Sequence, residues 1–359
     1  GGSCPEGCGF EHLFLPDWVK IRYLAFPNNN QQRSGKPPYH LGLEQALKSV
    51  QGDKHNQHIL IVTRGNIVKI ALWAKYHSSK YHVSVGLFLM ADEYMKMHRK
   101  LADTRLYSNF DYVLRNYFFS QHNFDPIPLR ALGNMTCGDP KDRNREPWKT
   151  MMKLPVPSNA TSTYGPRWGL HWIFLMPHDI HVMLQRPVTS AWPIQQRSQN
   201  CTFRGSRKTG NGARVRLQTA TQQEKYKNLN CSVILDKEFA ENPMGKFYYI
   251  NTLLGDTKVA FNPRGDHPEC HRLPEILKMG TVPAMLEDEY MQYTFRPIPG
   301  IKGPTWDVVL DQMQYYLTEN EARLAALAQD ANLWISDLET CMTSDMGVIL
   351  EGVHHDYQK

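Results

Sequence analysis

Two arginines and a glutamate in the C-terminal half have the residue types and spacing best suited to bind phosphate. Arg264 and Arg272 bracket a polar loop, and Glu275 follows shortly after the second arginine. Guanidinium groups form bidentate, charge-assisted hydrogen bonds with phosphate oxygens. Glu275 could accept hydrogen bonds from a ribose diol, although a glutamate in the first turn of a helix also compensates the helix dipole. The spacing therefore indicates a phosphate site, and leaves the role of Glu275 open.

A strand, a loop, a helix and a second strand must position these side chains. Val259–Phe261 is an apolar run typical of a buried strand, and the turn residues 262–266 end it. Pro274 suits the first turn of a helix, and Gly280 suits the position just after its end. Val282–Leu286 then begins the next strand. In such a unit the free N–H groups at the start of the helix face the loop, which also favours phosphate.

The same stretch resembles the signature of exostosin-type glycosyltransferases. The matching residues are Phe261-Asn262-Pro263-Arg264-Gly265, Arg272-Leu273-Pro274-Glu275-Ile276-Leu277 and Gly280-Thr281-Val282-Pro283. The runs from Glu269 to Arg272 and from Asp111 to Tyr117 are similar to the ribitol xylosyltransferase branch of that family. Two residues depart from the family's pattern: His271 stands where many members carry a small hydroxyl residue, and Pro274 where an aromatic residue is commoner.

The resemblance implies a GT-B fold, in which two Rossmann-like α/β domains face each other across a cleft. It also implies an inverting enzyme that moves a sugar from a UDP-sugar, with UDP-xylose expected for this branch, to a hydroxyl of a glycan or glycoprotein. The donor is a substrate, and the resemblance implies no further cofactor and no bound metal. The implied donor-binding residues are Arg214, Arg264, Gly265, His271, Arg272 and Glu275. A non-catalytic partner subunit or glycan-binding protein is the alternative, because fold alone does not establish chemistry.

An inverting transfer needs a general base near the acceptor hydroxyl, and the N-terminal half supplies two candidates. Val83–Met90 is an apolar run that predicts a strand, and Asp92 and Glu93 follow it directly. Functional groups in open α/β sheets gather beyond the carboxyl ends of the strands. Asp92 is equally well explained as the N-cap of a helix that begins at Glu93. Both residues are retained as candidate catalytic bases.

Composition and element order predict two α/β domains. The chain has 359 residues, 41% hydrophobic and 21% charged, which is typical of a soluble globular protein with room for two cores. Strands alternate with helices from His58 onward, which predicts parallel sheets. We expect an acceptor-side domain over 4–197 and a nucleotide-sugar domain over 198–359, with the last helices crossing back to the first domain. The net charge of +6 fits an anionic ligand and does not indicate nucleic acid.

Cysteines and glycosylation sequons fit a protein of the secretory pathway, and the family resemblance implies the Golgi lumen and a type II membrane protein. The seven cysteines include no paired CxxC motifs, so no zinc site is expected, and their odd number leaves at least one unpaired. Four Asn-X-Ser/Thr sequons begin at Asn134, Asn159, Asn200 and Asn230. Gly1-Gly2-Ser3 resembles a linker remnant, and we expect any membrane anchor to precede this sequence.

Overall fold

The chain divides into two compact units. One unit contains Gly1–Ile173 and Cys341–Lys359, and the other contains Phe174–Thr340. The structure is a computed structural model. Apart from a few single positions, the residues that it describes are 58–63, 84–89, 109–110, 112–115, 124–127, 154–157, 168–171, 193–207, 212–236, 248–265, 272–287 and 298–337. The contact boundary falls earlier in the chain than the boundary expected at 197/198.

The first unit contains a four-stranded parallel sheet in the order β1-β2-β3-β6. Its strands are β1 (His58–Thr63), β2 (Ser84–Leu89), β3 (Tyr112–Arg115) and β6 (Trp168–His171). A separate antiparallel pair is formed by β4 (Phe124–Ile127) and β5 (Leu154–Pro157). Val85 and Leu87 of β2 are completely buried. The prediction of a strand at Val83–Met90 is therefore confirmed, with Ser84–Leu89 as its bounds in the structure.

The second unit is built on a five-stranded sheet in which all neighbouring strands are parallel. The strands are β7 (Gln199–Ser206), β8 (Ser232–Asp236), β9 (Thr257–Phe261), β10 (Val282–Leu286) and β11 (Ile301–Gly303). Their order across the sheet is β11-β10-β9-β7-β8, so the first strand of the unit lies inside the sheet. The prediction of an α/β fold with Rossmann-like parallel sheets is confirmed.

In the described part of the second unit, two helices lie between strands and two follow the last strand. They are α1 (Ala213–Thr221), α2 (Arg272–Lys278), α3 (Trp306–Thr318) and α4 (321–337). A short 3₁₀ helix (Glu224–Leu229) precedes β8, and a π-helical turn (Tyr249–Leu254) precedes β9. The structure ends α1 at Thr221 and continues into the 3₁₀ helix after two residues.

The end of α2 shows how local sequence fixes the path into β10. Gly280 adopts φ 58°, a left-handed conformation that costs a side-chain-bearing residue about 1 kcal/mol or more. Its N–H donates to the carbonyl of Leu277, and the N–H of Thr281 donates to the carbonyl of Ile276. These two bonds form a Schellman motif, which satisfies the last carbonyls of the helix. The predicted role of Gly280 as the helix stop is confirmed.

One apolar core lies between the sheet of the second unit and its helices. Phe203 of β7 and Phe261 of β9 are nearly inaccessible to solvent, and Trp306 of α3 packs edge-on against Phe261 with ring centroids 5.8 Å apart. The interior side chains of α3 and α4, among them Val309, Leu310, Met313 and Leu324, join the same core. Helix packing therefore holds the sheet rigid from β7 to β11.

Arg197 ties together the amino-terminal edge of this sheet. Its Nη1 donates to the carbonyl of Thr257 (2.9 Å) and to Oγ1 of Thr281 (2.7 Å), and its Nη2 donates to the carbonyl of Met279 (2.8 Å). Burial lowers the pKa of Arg197 to about 10, against the opposing field of Asp256. The guanidinium group thus satisfies buried acceptors from two connections at once.

We expect Arg197→Met to lower the free energy of unfolding of the second unit by about 3 kcal/mol, because buried acceptors lose their donor. Urea unfolding followed by tryptophan fluorescence measures the loss, since Trp334 is buried. The matched control Arg323→Met changes an exposed arginine of α4 and should stay within about 0.5 kcal/mol. Equal effects of the two substitutions would show that Arg197 has no such role.

A disulfide between Cys201 and Cys231 joins the starts of β7 and β8. The two cysteines lie 30 positions apart, and α1 and the 3₁₀ helix lie within the loop that they close. The cross-link removes conformations from the unfolded chain, which for a loop of this length stabilises the fold by about 3 kcal/mol. The sequence left the cysteine pairing open, and the structure supplies this one pair.

We expect Cys201→Ala, Cys231→Ala and the double variant to lose nearly the same stability, about 3 kcal/mol each, because either single change breaks the bond. Urea unfolding under non-reducing conditions provides the comparison. If the two single losses simply add in the double variant, the stabilisation comes from the side chains separately and not from the bond.

Candidate functional site

The strand order of the second unit creates one point at which a ligand site is expected. From β7 the chain moves to β8 on one side, and then crosses to β9 on the other side of β7. The carboxyl ends of β7 and β9 therefore diverge into separate connections, and in open α/β sheets this switch point is where ligands bind. The pairing register aligns Thr202 with Ala260, so the last residues of β7 run beside the loop that follows β9.

Two buried arginines from different connections meet at the end of β7. Arg214, in the first turn of α1, donates from Nη1 to the carbonyl of Ser206 (2.8 Å). Arg272, at the start of α2, donates from Nη2 to the carbonyl of Arg204 (2.6 Å). Both arginines are 8% exposed. The last residues of β7 therefore orient both guanidinium groups through their backbone carbonyls.

Aromatic rings hold the same two guanidinium groups. The Arg272 guanidinium lies 4.3 Å from the ring centre of Phe203 and 5.6 Å from that of Tyr249. Its Nε also donates to the hydroxyl of Tyr249 at 2.8 Å. Arg214 lies 5.7 Å from the same Phe203 ring. Phe203 is thus a shared platform, and cation–π contacts of this kind are stronger where water is excluded.

Gly205 is the residue that allows the two arginines to come together. A Cβ atom on Gly205 would lie 3.0 Å from Nη2 of Arg272, 3.1 Å from Cζ of Phe203 and 3.4 Å from Nη1 of Arg214. The two guanidinium groups therefore approach the same face of one glycine. A side chain at this position would require the guanidinium groups or the Phe203 ring to shift by a few tenths of an ångström.

Two buried guanidinium groups concentrate positive charge at this edge of the sheet. Like charges in a medium of low polarity repel each other, and an anionic ligand would lower that cost in addition to the contacts that the protein itself makes with both arginines. A diphosphate offers several oxygens to planar, preoriented donors, which is the geometry that arginine binds best. The site can therefore hold a phosphate or diphosphate group at the switch point.

The other predicted donor-binding residues are placed as follows. Gly265 is buried and Arg264 is exposed in the loop after β9. Glu275 lies in the first turn of α2 and is 7% exposed. The structure thus brings Arg214 and Arg272 together at the end of β7. It places Arg264 in the loop after β9, the strand that pairs with β7. His271, Asp92 and Glu93 lie outside the described residues.

Sequence reasoning missed Phe203 and Tyr249 as parts of this site. Phe203 looked like any apolar residue within a strand, and nothing in the sequence links it to arginines 11 and 69 positions away. Tyr249 lies in the π-helical turn, a form that sequence periodicity does not reveal. Gly205 did have a signal, because it ends an apolar strand before a basic, glycine-containing segment.

Comparisons with known proteins show similarity of shape only. No family model matches the chain, and no curated protein is significantly similar in sequence. A UDP-forming α,α-trehalose-phosphate synthase from Burkholderia vietnamiensis is 9% identical, with a TM-score of 0.48 and coverage of 93% of this chain and 80% of the other. HepE from Anabaena, in complex with UDP, is 11% identical, with a TM-score of 0.46 and coverage of 88% and 83%. The N-terminal domain of a Candida albicans trehalose-6-phosphate phosphatase is 12% identical, with a TM-score of 0.47 and coverage of 95% and 78%. At such values the functional argument rests on this chain's own residues.

Within the part of the chain that the structure describes, no group of three or more His, Cys, Asp or Glu side chains is arranged to hold a metal ion. None of the described helices combines the length and the apolar character needed to cross a membrane.

We expect Gly205→Ala to weaken the binding of inorganic pyrophosphate by about tenfold or more, because the added methyl group requires the guanidinium groups or the Phe203 ring to shift. Isothermal titration calorimetry measures the affinity. The control Gly303→Ala introduces a comparable clash with Val308, at 2.8 Å, on β11, away from the arginines. Both variants should lose stability, but only Gly205→Ala should lose affinity; unchanged binding in Gly205→Ala would exclude this site.

Proposed function

We propose that this chain is an inverting glycosyltransferase of the GT-B fold that transfers a sugar from a UDP-sugar to a hydroxyl of a glycan or glycoprotein. One observation carries the proposal: Arg214 and Arg272 meet over Gly205 at the switch point of a doubly wound parallel sheet. The resemblance of the surrounding sequence to exostosin-type enzymes supports the same function. A UDP-sugar supplies the diphosphate that this arrangement of charges would bind.

The two arginines have a catalytic role in such a transfer. When the bond between the sugar and the diphosphate breaks, negative charge develops on the departing phosphate oxygen. Guanidinium groups that are already fixed in place stabilise this charge without reorganising. Arg272 is fixed on three sides, by the Arg204 carbonyl, the Tyr249 hydroxyl and the Phe203 ring. This preorganisation favours the transition state over the ground state.

The remaining residues of the signature surround the donor in this proposal. Arg264, from the exposed loop after β9, adds a third cation for the phosphates, and Gly265 allows the backbone to approach them. His271 precedes Arg272 and would contact the donor. Glu275 accepts hydrogen bonds from the ribose diol. These four assignments rest on the family resemblance and on their nearness in sequence to the arginine pair.

The acceptor side of the reaction is assigned to the first unit. Asp92 or Glu93 would act as the general base that removes the proton of the acceptor hydroxyl as it attacks the sugar carbon. The donor is UDP-xylose in the proposal, and the transfer needs no bound metal, because protein cations neutralise the diphosphate. The Cys201–Cys231 disulfide supports the Golgi lumen as the compartment, since such bonds persist where the environment is oxidising.

We expect Arg214→Lys and Arg272→Lys each to weaken UDP binding by about tenfold or more, because lysine loses the planar pair of donors. The matched control is Arg216→Lys, an exposed arginine on the same helix as Arg214, which should leave the affinity unchanged. Thermal-shift titration with UDP and a panel of UDP-sugars measures the affinities and identifies the donor. Equal losses in all three variants would show that the Arg214–Arg272 pair has no special part in binding UDP.

We expect Glu93→Gln or Asp92→Asn to lower the kcat of transfer by about 100-fold or more while UDP affinity stays the same. The measured quantity is the release of UDP, which reports both donor hydrolysis and transfer. It is recorded with and without a metal chelator. Binding of UDP without hydrolysis or transfer across the donor panel would favour the non-catalytic partner subunit. Loss of activity in the chelator would overturn the metal-independent mechanism but not the donor site.

A further inference from the structure

The disulfide of the second unit joins two glycosylation sequons. Cys201 is the middle residue of Asn200-Cys201-Thr202, and Cys231 is the middle residue of Asn230-Cys231-Ser232. Bonding the two cysteines therefore brings both candidate acceptor asparagines to the same end of the β7–β8 pair. The surroundings of these two asparagines differ, and the difference decides which side chain has room for an attached oligosaccharide.

Asn230 is open to solvent. It ends the 3₁₀ helix (Glu224–Leu229) with φ 50° and ψ 47°, a left-handed conformation that asparagine adopts more readily than most residues. Its backbone N–H donates to the carbonyl of Lys227, so the main chain of the turn is satisfied. The residue itself is exposed, as are its neighbours Lys227 and Asn228. A bulky, hydrated group on the side-chain nitrogen would extend into water without disturbing the fold.

Asn200 is held within the fold. It lies on β7, which pairs with β9 on one side and β8 on the other, and it is only partly exposed. Its Nδ2 donates to the carbonyl of Leu229 at 3.2 Å, and Leu229 is buried. A sugar on this nitrogen would occupy the contact that closes the turn against the strand. The sugar would replace one of the two Nδ2 hydrogens and would have to fit into this partly buried contact.

We propose that the folded protein carries an N-linked oligosaccharide on Asn230 and none on Asn200. In the modification, C1 of the oligosaccharide forms a bond to Nδ2 of Asn230, while its bond to the phosphate oxygen of a lipid pyrophosphate carrier breaks. The amide nitrogen loses one proton. The inference does not depend on the proposed transferase activity, since it uses residues at the opposite end of β7 from the arginine pair.

The modification must precede the folding of the β7–β8 pair. In the folded unit Cys231 is bonded to Cys201, and the carbonyl of Ser232 accepts a hydrogen bond from Oγ1 of Thr202 at 3.3 Å. Ser232 of the sequon then lies in β8, Cys231 is cross-linked, and Asn230 stays in the exposed turn. An oligosaccharide attached while the segment is still extended is accommodated at Asn230 afterwards, whereas one on Asn200 would have to fit against the buried Leu229, so the folded protein retains only the first.

Secretion of the full chain from a eukaryotic host tests the proposal. The secreted protein is reduced, alkylated and treated with a glycan-releasing amidase in heavy-oxygen water, which converts each glycosylated asparagine to a labelled aspartate. Site-resolved mass spectrometry then reads Asn230 and Asn200 separately, and also separates both from Asn134 and Asn159. We expect the label at Asn230 and its absence at Asn200.

Variants provide the second measurement. Asn230→Gln and Ser232→Ala should each lose one glycan in gel mobility, because each destroys the same sequon through a different residue. The matched control Asn228→Gln changes an exposed asparagine on the same turn and should lose none. Secreted protein with an unmodified Asn230, or with a glycan on Asn200, would overturn the proposal.

Discussion

The described site depends on β7 lying between β8 and β9. This position places the end of β7 where two connections leave the sheet in opposite directions, one toward α1 and the other from β9 toward α2. Each connection contributes one arginine, and the carbonyls at the end of β7 hold both. With β7 at the edge of the sheet, only one of these connections would adjoin its carboxyl end, and the pair would not form. Strand order therefore determines where the charge accumulates.

Among the described residues of the second unit, three arginines are buried, and their roles differ. Arg197, at the amino-terminal edge, donates to acceptors from two connections, and its chemistry is satisfied by the fold itself. Arg214 and Arg272, at the carboxyl-terminal edge, lie side by side on a glycine and an aromatic ring. Burying a guanidinium group is costly in every case. At one edge the cost is offset by carbonyl acceptors of the protein, whereas at the other edge the paired charges also suit an anionic ligand.

The sequence predicted the parts of the fold that local chemistry determines. Apolar runs located β2, β9 and β10, and Gly280 marked the end of α2, because strand burial and left-handed backbone each leave a signal within a few residues. The spacing of Arg264 and Arg272 around a polar loop indicated a phosphate site, whereas Arg214 was expected only from the family resemblance. The sequence did not reveal Tyr249 as the partner of Arg272, nor Cys231 as the partner of Cys201, because these contacts join positions far apart along the chain.

The placement of β7 also constrains the kinetics of folding. Gln199 and Thr257 become neighbours although they are 58 positions apart, so the β7–β9 ladder carries a large loop-closure entropy. Parallel pairings of such range form slowly and raise the contact order of the whole unit. The covalent link between β7 and β8 constrains the other side of β7, so the β9 side keeps the larger loop-closure entropy. The arginine pair assembles only after that step, so the ability to bind an anion would mark the completion of folding.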